Sequence, residues 1–123
     1  MAEVFELGFW GVLFWLLVGH ALADYPLQSE WMVHAKNRHN LQPSSSSKRP
    51  DLIWLHVLSA HAAIHGGMVA LVTHNLGFGL AEFVLHWCID YGKSEHWYGF
   101  HTDQLLHISC KLLWALGWLY WVS

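Results

Sequence analysis

The residues LIWLHVLSAHAAIHGGMVALV, at positions 52–72, say most about the architecture of this chain. They include no Asp, Glu, Lys or Arg. A bilayer core of ~30 Å is crossed by about 20 helical residues, so an apolar run of this length is typical of a transmembrane helix. The stretch therefore predicts one membrane span, and its neighbours on both sides extend the pattern.

Three further apolar stretches lie at about 5–22, 76–91 and 104–122. In the whole chain 54% of residues are hydrophobic and 12% are charged, whereas a soluble domain carries roughly a quarter of its residues as charges. Stretch 76–91 is short for a membrane span. It can cross the bilayer only if side chains at its end reach the interface or if the bilayer is locally thinner. The alternative is a re-entrant segment that enters and leaves the membrane on the same side. We predict an all-α, polytopic membrane protein, with one domain that forms a four-transmembrane-helix bundle.

One long polar loop, 25–51, separates the first two spans and is expected in the cytoplasm. Asp24 followed by Pro26 is typical of a helix start, and the apolar residues beyond it share one face, which predicts a short amphipathic helix at the membrane interface. Four serines at 44–47 predict a flexible linker. The basic residues of the loops are Lys36, Arg38, Lys48, Arg49 and Lys93.

These basic residues all lie in the first and third loops, and the positive-inside rule places such loops in the cytoplasm. Four spans then put both termini on the outer side. With three spans, the basic residues would be divided between the two sides of the membrane, or the positive-inside pattern would be lost. The charge distribution therefore favours 76–91 as a span. Aromatic residues near the C-terminus predict a lipid-facing or interfacial belt; they are Trp114, Trp118, Tyr120 and Trp121.

Histidine and aspartate occur in pairs inside the predicted spans, where ionisable residues are costly and rarely face lipid. A spacing of four residues puts both members of a pair on one helix face, one turn apart. Spans one and three end at the cytoplasmic side and spans two and four begin there, so the pairs and His56 fall at one depth. The pairs are His20 with Asp24, His86 with Asp90, and Asp103 with His107.

Such a layer predicts a site for zinc or another divalent metal, because helix bundles bind metals with imidazoles and carboxylates from facing helices. His61 lies about 140° around the helix from His56, so both cannot point into one small site. The predicted metal ligands are His20, Asp24, His56, His86, Asp90, Asp103 and His107. The predicted surrounding polar network is Gln28, Glu82, Lys93, Gln104 and Lys111, with Glu82 and Lys111 about two turns deeper as a buried ion pair.

Three kinds of function fit this layer, and the residues alone leave open whether the chain is an enzyme. A metal-bound water near the surface can attack a phosphoester, acyl or peptide bond. Alternatively, the layer is structural in a non-enzymatic accessory or phage-encoded membrane protein, or it is a proton relay, which would need oligomers. The expected partners are the lipid bilayer and further copies or a larger membrane complex. The net charge of −3 gives no support for nucleic-acid binding.

Four motifs carry a family resemblance: GHALADYPLQSEWM at 19–32, LH at 55–56, HWCIDYGK at 86–93 and TDQLLH at 102–107. In this order they resemble the small bacterial and phage membrane proteins catalogued as domain of unknown function 3307. The resemblance covers about 20–111 and implies an inner-membrane protein of bacterial or phage origin, but no reaction. Membrane-bound metal-dependent hydrolases are similar only by analogy, through His/Asp pairs at helix ends. The residues that match the family pattern are His20, Asp24, Gln28, His56, His86, Asp90, Lys93, Asp103, Gln104 and His107.

Overall fold

The computed structural model describes residues 8–39 and 52–123, and these residues form five helices and no strand. The predicted all-α class is confirmed. The serine run 44–47, the first residues of the predicted span 5–22, Lys48 and Arg49 lie outside the described residues. The helices are α1 (Gly8–Asp24), α2 (Glu30–Ala35), α3 (Ile53–Thr73), α4 (Leu76–Ser94) and α5 (Phe100–Val122).

Helices α3 and α4 form a hairpin with the most extensive contact in the described structure. His74 adopts a left-handed conformation with a φ of 53°, and the side chain of Asn75 then accepts a hydrogen bond from the Phe78 backbone N–H at 3.2 Å. The two backbones touch at Gly66 and Gly79, since a Cβ added to Gly66 would lie 2.7 Å from the Gly79 carbonyl oxygen. Gly66 therefore permits the close helix contact that small residues allow in membrane bundles.

The interior of the bundle changes from apolar to polar along the helix axes. Helix α1 packs against α3 and α5, which also contact each other, and α2 lies against α3. An apolar core occupies the end formed by the start of α1 and the ends of α3 and α5; its buried members are Val12, Leu16, Val69, Trp114, Ala115 and Trp118. The buried polar side chains other than Thr73 lie towards the opposite end, where α1 and α4 finish and α5 begins. The bundle thus has one apolar end and one polar end.

The aromatic belt predicted near the C-terminus is only half correct. Tyr120 and Trp121 are exposed, as expected, but Trp114 and Trp118 are buried in the apolar core. The reason is helical rotation, because positions 114 and 118 lie one turn apart on the face of α5 that packs inward. Their burial makes them core residues of the bundle.

Two described helices, α3 and α5, are long and apolar enough to cross a membrane, while α1 is a shorter apolar helix. Helix α4 continues to Ser94 and has 19 residues, about 28 Å of helix at the usual rise. Helix α4 is therefore longer than the predicted stretch 76–91, but it is less apolar than the two helices that could cross a membrane, α3 and α5. The finding is two apolar helices of spanning length, and the four-span topology remains a prediction.

Candidate metal centre

Five imidazoles from four helices meet at the polar end of the bundle. His20 lies on α1, His61 and His65 on α3, His86 on α4 and His107 on α5, and none is more than 6% exposed. Ring centroids are 3.6 Å apart for His65 and His86 and 4.1 Å apart for His86 and His107. Those of His61 and His65 are 4.7 Å apart. This packing places many nitrogen donors in one buried volume.

A first group of potential ligands combines three of these histidines with Asp24. The ligand atoms of Asp24, His61, His65 and His86 all lie within 4.8 Å of one another. The Asp24 carboxylate, at the C-terminal end of α1, accepts a hydrogen bond from His65 Nε2 at 2.9 Å, and His61 Nε2 lies 3.4 Å from the same oxygen. His61 and His65 reach this position together because residues four apart share a face of α3.

A second group consists of Asp90, Asp103 and His107. His107 Nε2 lies 3.0 Å from Asp90 Oδ1 and 3.3 Å from Asp103 Oδ1. The other oxygen of Asp90, Oδ2, lies 3.4 Å from His61 Nε2 and 3.5 Å from His86 Nε2. The Asp90 carboxylate is therefore situated between the two groups, with one oxygen facing each.

Deeper in the bundle, Glu82 collects three hydrogen-bonding partners. Lys111 Nζ donates to Glu82 Oε1 at 2.6 Å, and Trp114 Nε1 donates to Oε2 at 2.6 Å. His86 Nδ1 lies 3.2 Å from Glu82 Oε1. The predicted Glu82–Lys111 ion pair is confirmed. Glu82, His86 and His107 also form a third set of ligand atoms close enough to hold an ion.

Amide side chains fix the α1 side of the cluster. Gln104 accepts from His20 Nε2 at 3.1 Å and donates to Asp24 Oδ2 at 3.0 Å. Gln28 donates to the backbone carbonyl of Asp24 at 2.8 Å. His20 Nε2 also lies 3.5 Å from Asp24 Oδ2. These contacts orient Asp24 and engage one ring nitrogen of His20.

Two lysines approach the cluster from the surface. Lys36, which follows α2, places Nζ 2.8 Å from Asp90 Oδ2, and Lys93 places Nζ 3.8 Å from Asp103 Oδ2. Lys93 was predicted in the polar network, but Lys36 was assigned only to a basic loop. Its role in the site depends on how α2 packs against α3, which brings Lys36 to Asp90 of α4, and no periodic pattern in the sequence carries that information.

Several buried polar atoms of the cluster have no hydrogen-bonding partner among the described residues. Nδ1 of His61 and Nδ1 of His65 make no hydrogen bond to any described residue, and Nε2 of His61, Nε2 of His86 and Oδ1 of Asp103 have only long ion-pair contacts of 3.3–3.5 Å there. Buried polar groups in proteins are nearly always hydrogen-bonded, because an unpaired one costs about 1–3 kcal/mol. A concentration of such atoms in one place fits a centre whose donors are reserved for a cation.

Most residues of the predicted layer come together, but His56 does not. His56 lies on the exposed side of α3, outside all three groups of ligand atoms, while His61 and His65 of the same helix point inward. The expected position of His56 is therefore corrected, because α3 is rotated so that the 61/65 face packs against α1 and α4. His61 and His65 share the four-residue spacing of the other pairs, but spacing alone does not choose between their face of α3 and that of His56. Those brought together as predicted are His20, Asp24, His86, Asp90, Asp103 and His107.

A cavity of about 380 Å³ opens beside the cluster. Asp90 lies in its wall, together with Lys36, Lys93, His34 and His96. The cavity is bounded by the segment around α2 on one side and by the α4–α5 connection on the other. It joins the second group of ligands to the surface.

The segment after α2 is fastened to the α4–α5 connection by Glu95. Arg38 Nε donates to one carboxylate oxygen of Glu95, and His39 Nε2 lies 2.8 Å from the other. The Arg38 hydrogen bond lowers the pKa of Glu95 to about 2. Nearby, the Tyr98 hydroxyl donates to the Ile89 carbonyl, and burial raises the pKa of Tyr98 to about 12. These contacts hold the segment after α2 against the α4–α5 connection beside the cavity.

Fold and site together define a helical bundle with groups of His, Asp and Glu that can hold a metal ion in its interior. The family model described as "Protein of unknown function (DUF3307)" matches residues 12–122. The chain belongs to this family, and the resemblance drawn from its motifs is confirmed. No curated protein and no solved structure matches the chain.

Proposed function

We propose that this chain is an integral membrane protein that binds divalent metal in its polar interior and uses it for hydrolysis at the cytoplasmic surface. The observation that carries the proposal is the convergence of Asp24, His61, His65 and His86 within 4.8 Å. Imidazole nitrogens with one carboxylate oxygen are donors that suit zinc and neighbouring divalent ions. Zinc is the favoured ion for this set.

The surroundings of His86 support a metal ligand. One ring nitrogen, Nδ1, is engaged by Glu82, while Nε2 has no hydrogen-bonding partner among the described residues and faces the first group. A metal-binding histidine usually directs its other nitrogen to a carboxylate or carbonyl, which fixes the ring and raises its basicity. His86 has this arrangement with Glu82.

A second ion is proposed at Asp90, Asp103 and His107. This group shares no residue with the first, and the two oxygens of Asp90 face one group each. If both ions were bound, Asp90 would contribute one oxygen to each group of ligands, and the two ions together would activate water and stabilise charge on the substrate.

Hydrolysis is the reaction class that this centre serves best. A divalent metal lowers the pKa of a bound water and so generates a nucleophile at neutral pH. Carboxylates and imidazoles outside the metal's own ligands, such as His20, can accept a proton as general bases. The adjoining cavity admits a phosphoester, acyl or peptide substrate from the surface.

The distribution of side chains supports the membrane part of the proposal. Large apolar residues are exposed on the outer faces of the helices, among them Leu71, Leu80, Val84 and Leu113. Ionisable residues are gathered inside, which is the arrangement expected when the surrounding solvent is lipid. We propose four spans in a bacterial inner membrane, with the lysine-bearing polar end in the cytoplasm and both termini outside.

Metal analysis of protein purified in detergent tests the proposal. The wild type should retain between one and two equivalents of a divalent ion, and His86→Ala should lose at least half of it. His56→Ala is the matched control and should retain the wild-type amount. A wild type with far less than one equivalent, unchanged by His86→Ala, would overturn the proposal.

The second candidate is a non-enzymatic accessory or phage-encoded membrane protein in which the polar layer is structural. Its support is the pairing of Lys36 with Asp90 and of Lys111 with Glu82, because these ion pairs balance buried charge without a metal. On this view Asp103→Asn lowers stability but leaves the phenotype of the gene intact. Loss of phenotype in normally folded Asp103→Asn protein would exclude this candidate.

A proton relay has less support than either. A path across the membrane would have to continue past Lys111, where the interior becomes the apolar core around Leu16, Val69 and Trp118. A relay would therefore have to run between copies of the chain, as a homo-oligomer or part of a larger membrane complex. Proton flux in liposomes, compared between wild type and His107→Ala, distinguishes this case.

A further inference from the structure

We infer that the cavity beside Asp90 binds a phosphate group, carried either by a phospholipid headgroup or by a soluble phosphorylated compound. This inference rests on the proposed metal centre and names the substrate class that it serves. The cavity, of about 380 Å³, is large enough for a phosphate with part of the group that bears it. Its polar lining is rich in nitrogen, with two lysines and two histidines.

The lysines supply the positive charge that a phosphate requires. Lys36 and Lys93 both line the cavity, and lysine is a common phosphate ligand that acts as a point charge. Lys93 is the more accessible, with 38% of its side chain exposed, while Lys36 is 11% exposed. Their ammonium groups approach from opposite walls, one after α2 and one at the end of α4.

Each ammonium group contacts a carboxylate of the second ligand group, Lys36 at Asp90 and Lys93 at Asp103. A divalent ion held by Asp90, Asp103 and His107 would share these carboxylates with the lysines, because His107 faces Oδ1 of each aspartate and the lysines contact Oδ2. Each carboxylate would then neutralise an ammonium group and part of the ion's charge together. Metal and lysines together would carry two more positive charges than Asp90 and Asp103 neutralise, and a phosphate dianion balances that excess.

The same reasoning excludes a strong anion site in the metal-free protein. Without metal, Asp90 and Asp103 neutralise the charges of Lys36 and Lys93, so the cavity has no excess positive charge for an anion. Phosphate binding should therefore depend on metal. The cavity edge is partly apolar, with Phe100 half exposed and Lys93 Nζ 5.1 Å from the centre of its ring, so an acyl glycerol adjoining the phosphate can also be accommodated.

Native mass spectrometry of the full chain in detergent tests the inference, because one spectrum reports bound metal, phosphate and lipid. The probes are inorganic phosphate, phosphatidic acid and phosphatidylcholine, each added to protein as purified and after metal removal by a chelator. Metal-containing wild type should bind inorganic phosphate or phosphatidic acid at least about tenfold more tightly than phosphatidylcholine. Chelated protein should bind the phosphate probes at least about tenfold more weakly.

Two variants locate the site, and a third is the control. Lys36→Gln and Lys93→Gln should each weaken phosphate binding about tenfold, as expected for the loss of one charged hydrogen bond, while metal content stays at the wild-type level. His56→Gln removes an imidazole from the exposed side of α3, outside the cavity lining and outside the contacts that hold the segment after α2. It should leave phosphate binding within twofold of wild type.

The outcomes separate this inference from the proposed function. Protein that holds metal but binds neither inorganic phosphate nor phosphatidic acid overturns the inference and leaves the metal proposal standing. Equal binding by wild type and both lysine variants also overturns it. Phosphate binding that is equally tight after chelation overturns the inferred dependence on metal, and the metal content of the purified protein decides the proposed function separately. Preference for inorganic phosphate indicates a soluble substrate, and preference for phosphatidic acid indicates a lipid headgroup.

Discussion

Lys111 is almost fully buried, and its charge is balanced by Glu82 at 2.6 Å. Removing one member of such a pair leaves an uncompensated buried charge, which usually costs about 3–5 kcal/mol. We expect Glu82→Gln to destabilise the protein by roughly that amount, and Glu82→Gln combined with Lys111→Met to recover most of it. Thermal unfolding in detergent measures both, and equal stability of the single and double variants would contradict the pairing.

Glu82 also orients the imidazole of His86, and this second role can be separated from the first. In the Glu82→Gln/Lys111→Met protein the charge is balanced, but the carboxylate that engages His86 Nδ1 is absent. Loss of such a partner typically lowers metal affinity about 10–100-fold. We expect the double variant to bind zinc more weakly by that factor in a competition titration with a chelator. Unchanged zinc affinity in the restored fold would contradict a supporting role of the Glu82 carboxylate in metal binding by His86.

The α3–α4 hairpin depends on contact between two backbones. Gly66→Ala would place a Cβ 2.7 Å from the Gly79 carbonyl oxygen and 3.2 Å from Phe83 Cβ. We expect it to separate the helices and reduce stability by about 1–3 kcal/mol. Gly67→Ala is the control, because nothing lies within 4 Å of its Cβ and alanine is the better helix former. If both variants unfold at the same temperature, the contact does not hold the hairpin together.

The segment after α2 is secured by Glu95, and acid should release it. Its carboxyl has a pKa of about 2, against an ordinary value of 4.5. A lowered pKa means that the stabilisation is complete above the ordinary value and is lost as the pH falls from about 4.5 towards 2. We expect the protection of the amides of residues 30–39, relative to the intrinsic exchange rate at each pH, to fall over this interval.

The variant Glu95→Gln should show the faster exchange already at neutral pH. Glu30→Gln serves as control, since the Glu30 side chain is 93% exposed and lies 4.0 Å from His34. Exchange that is equally fast in wild type and Glu95→Gln would mean that other contacts hold this segment.

At the scale of the whole molecule, the proposed orientation can be tested by chemical labelling. Cys88 and Cys110 are first replaced by alanine, and single cysteines are introduced as Ser123→Cys and His101→Cys. In intact spheroplasts a membrane-impermeant maleimide should label position 123, and position 101 should react only after permeabilisation. The opposite pattern would reverse the topology, and labelling of both positions without permeabilisation would indicate that α5 does not span the membrane.

The sequence predicted the helices and most of the cluster because both depend on local spacing. A four-residue interval brings His86 and Asp90 to one face of a helix whatever the rest of the chain does. The rotation of α3 could not be obtained in this way, because the helix is apolar on most sides and its three histidines offer two competing faces. The choice of the face with His61 and His65 is made by packing against α1 and α4. The contact of Lys36 with Asp90 likewise joins residues that are distant in the sequence.

The apolar core, which begins one turn beyond Lys111, limits how a substrate can move through the protein. The cavity beside Asp90 opens the polar cluster to the surface, and a second cavity of about 410 Å³ reaches Trp118 at the opposite end of the bundle, with the apolar core between the two. In the proposed topology these two cavities face opposite sides of the membrane, and the core separates them. Reactant and product of the proposed hydrolysis would then share the cytoplasmic mouth.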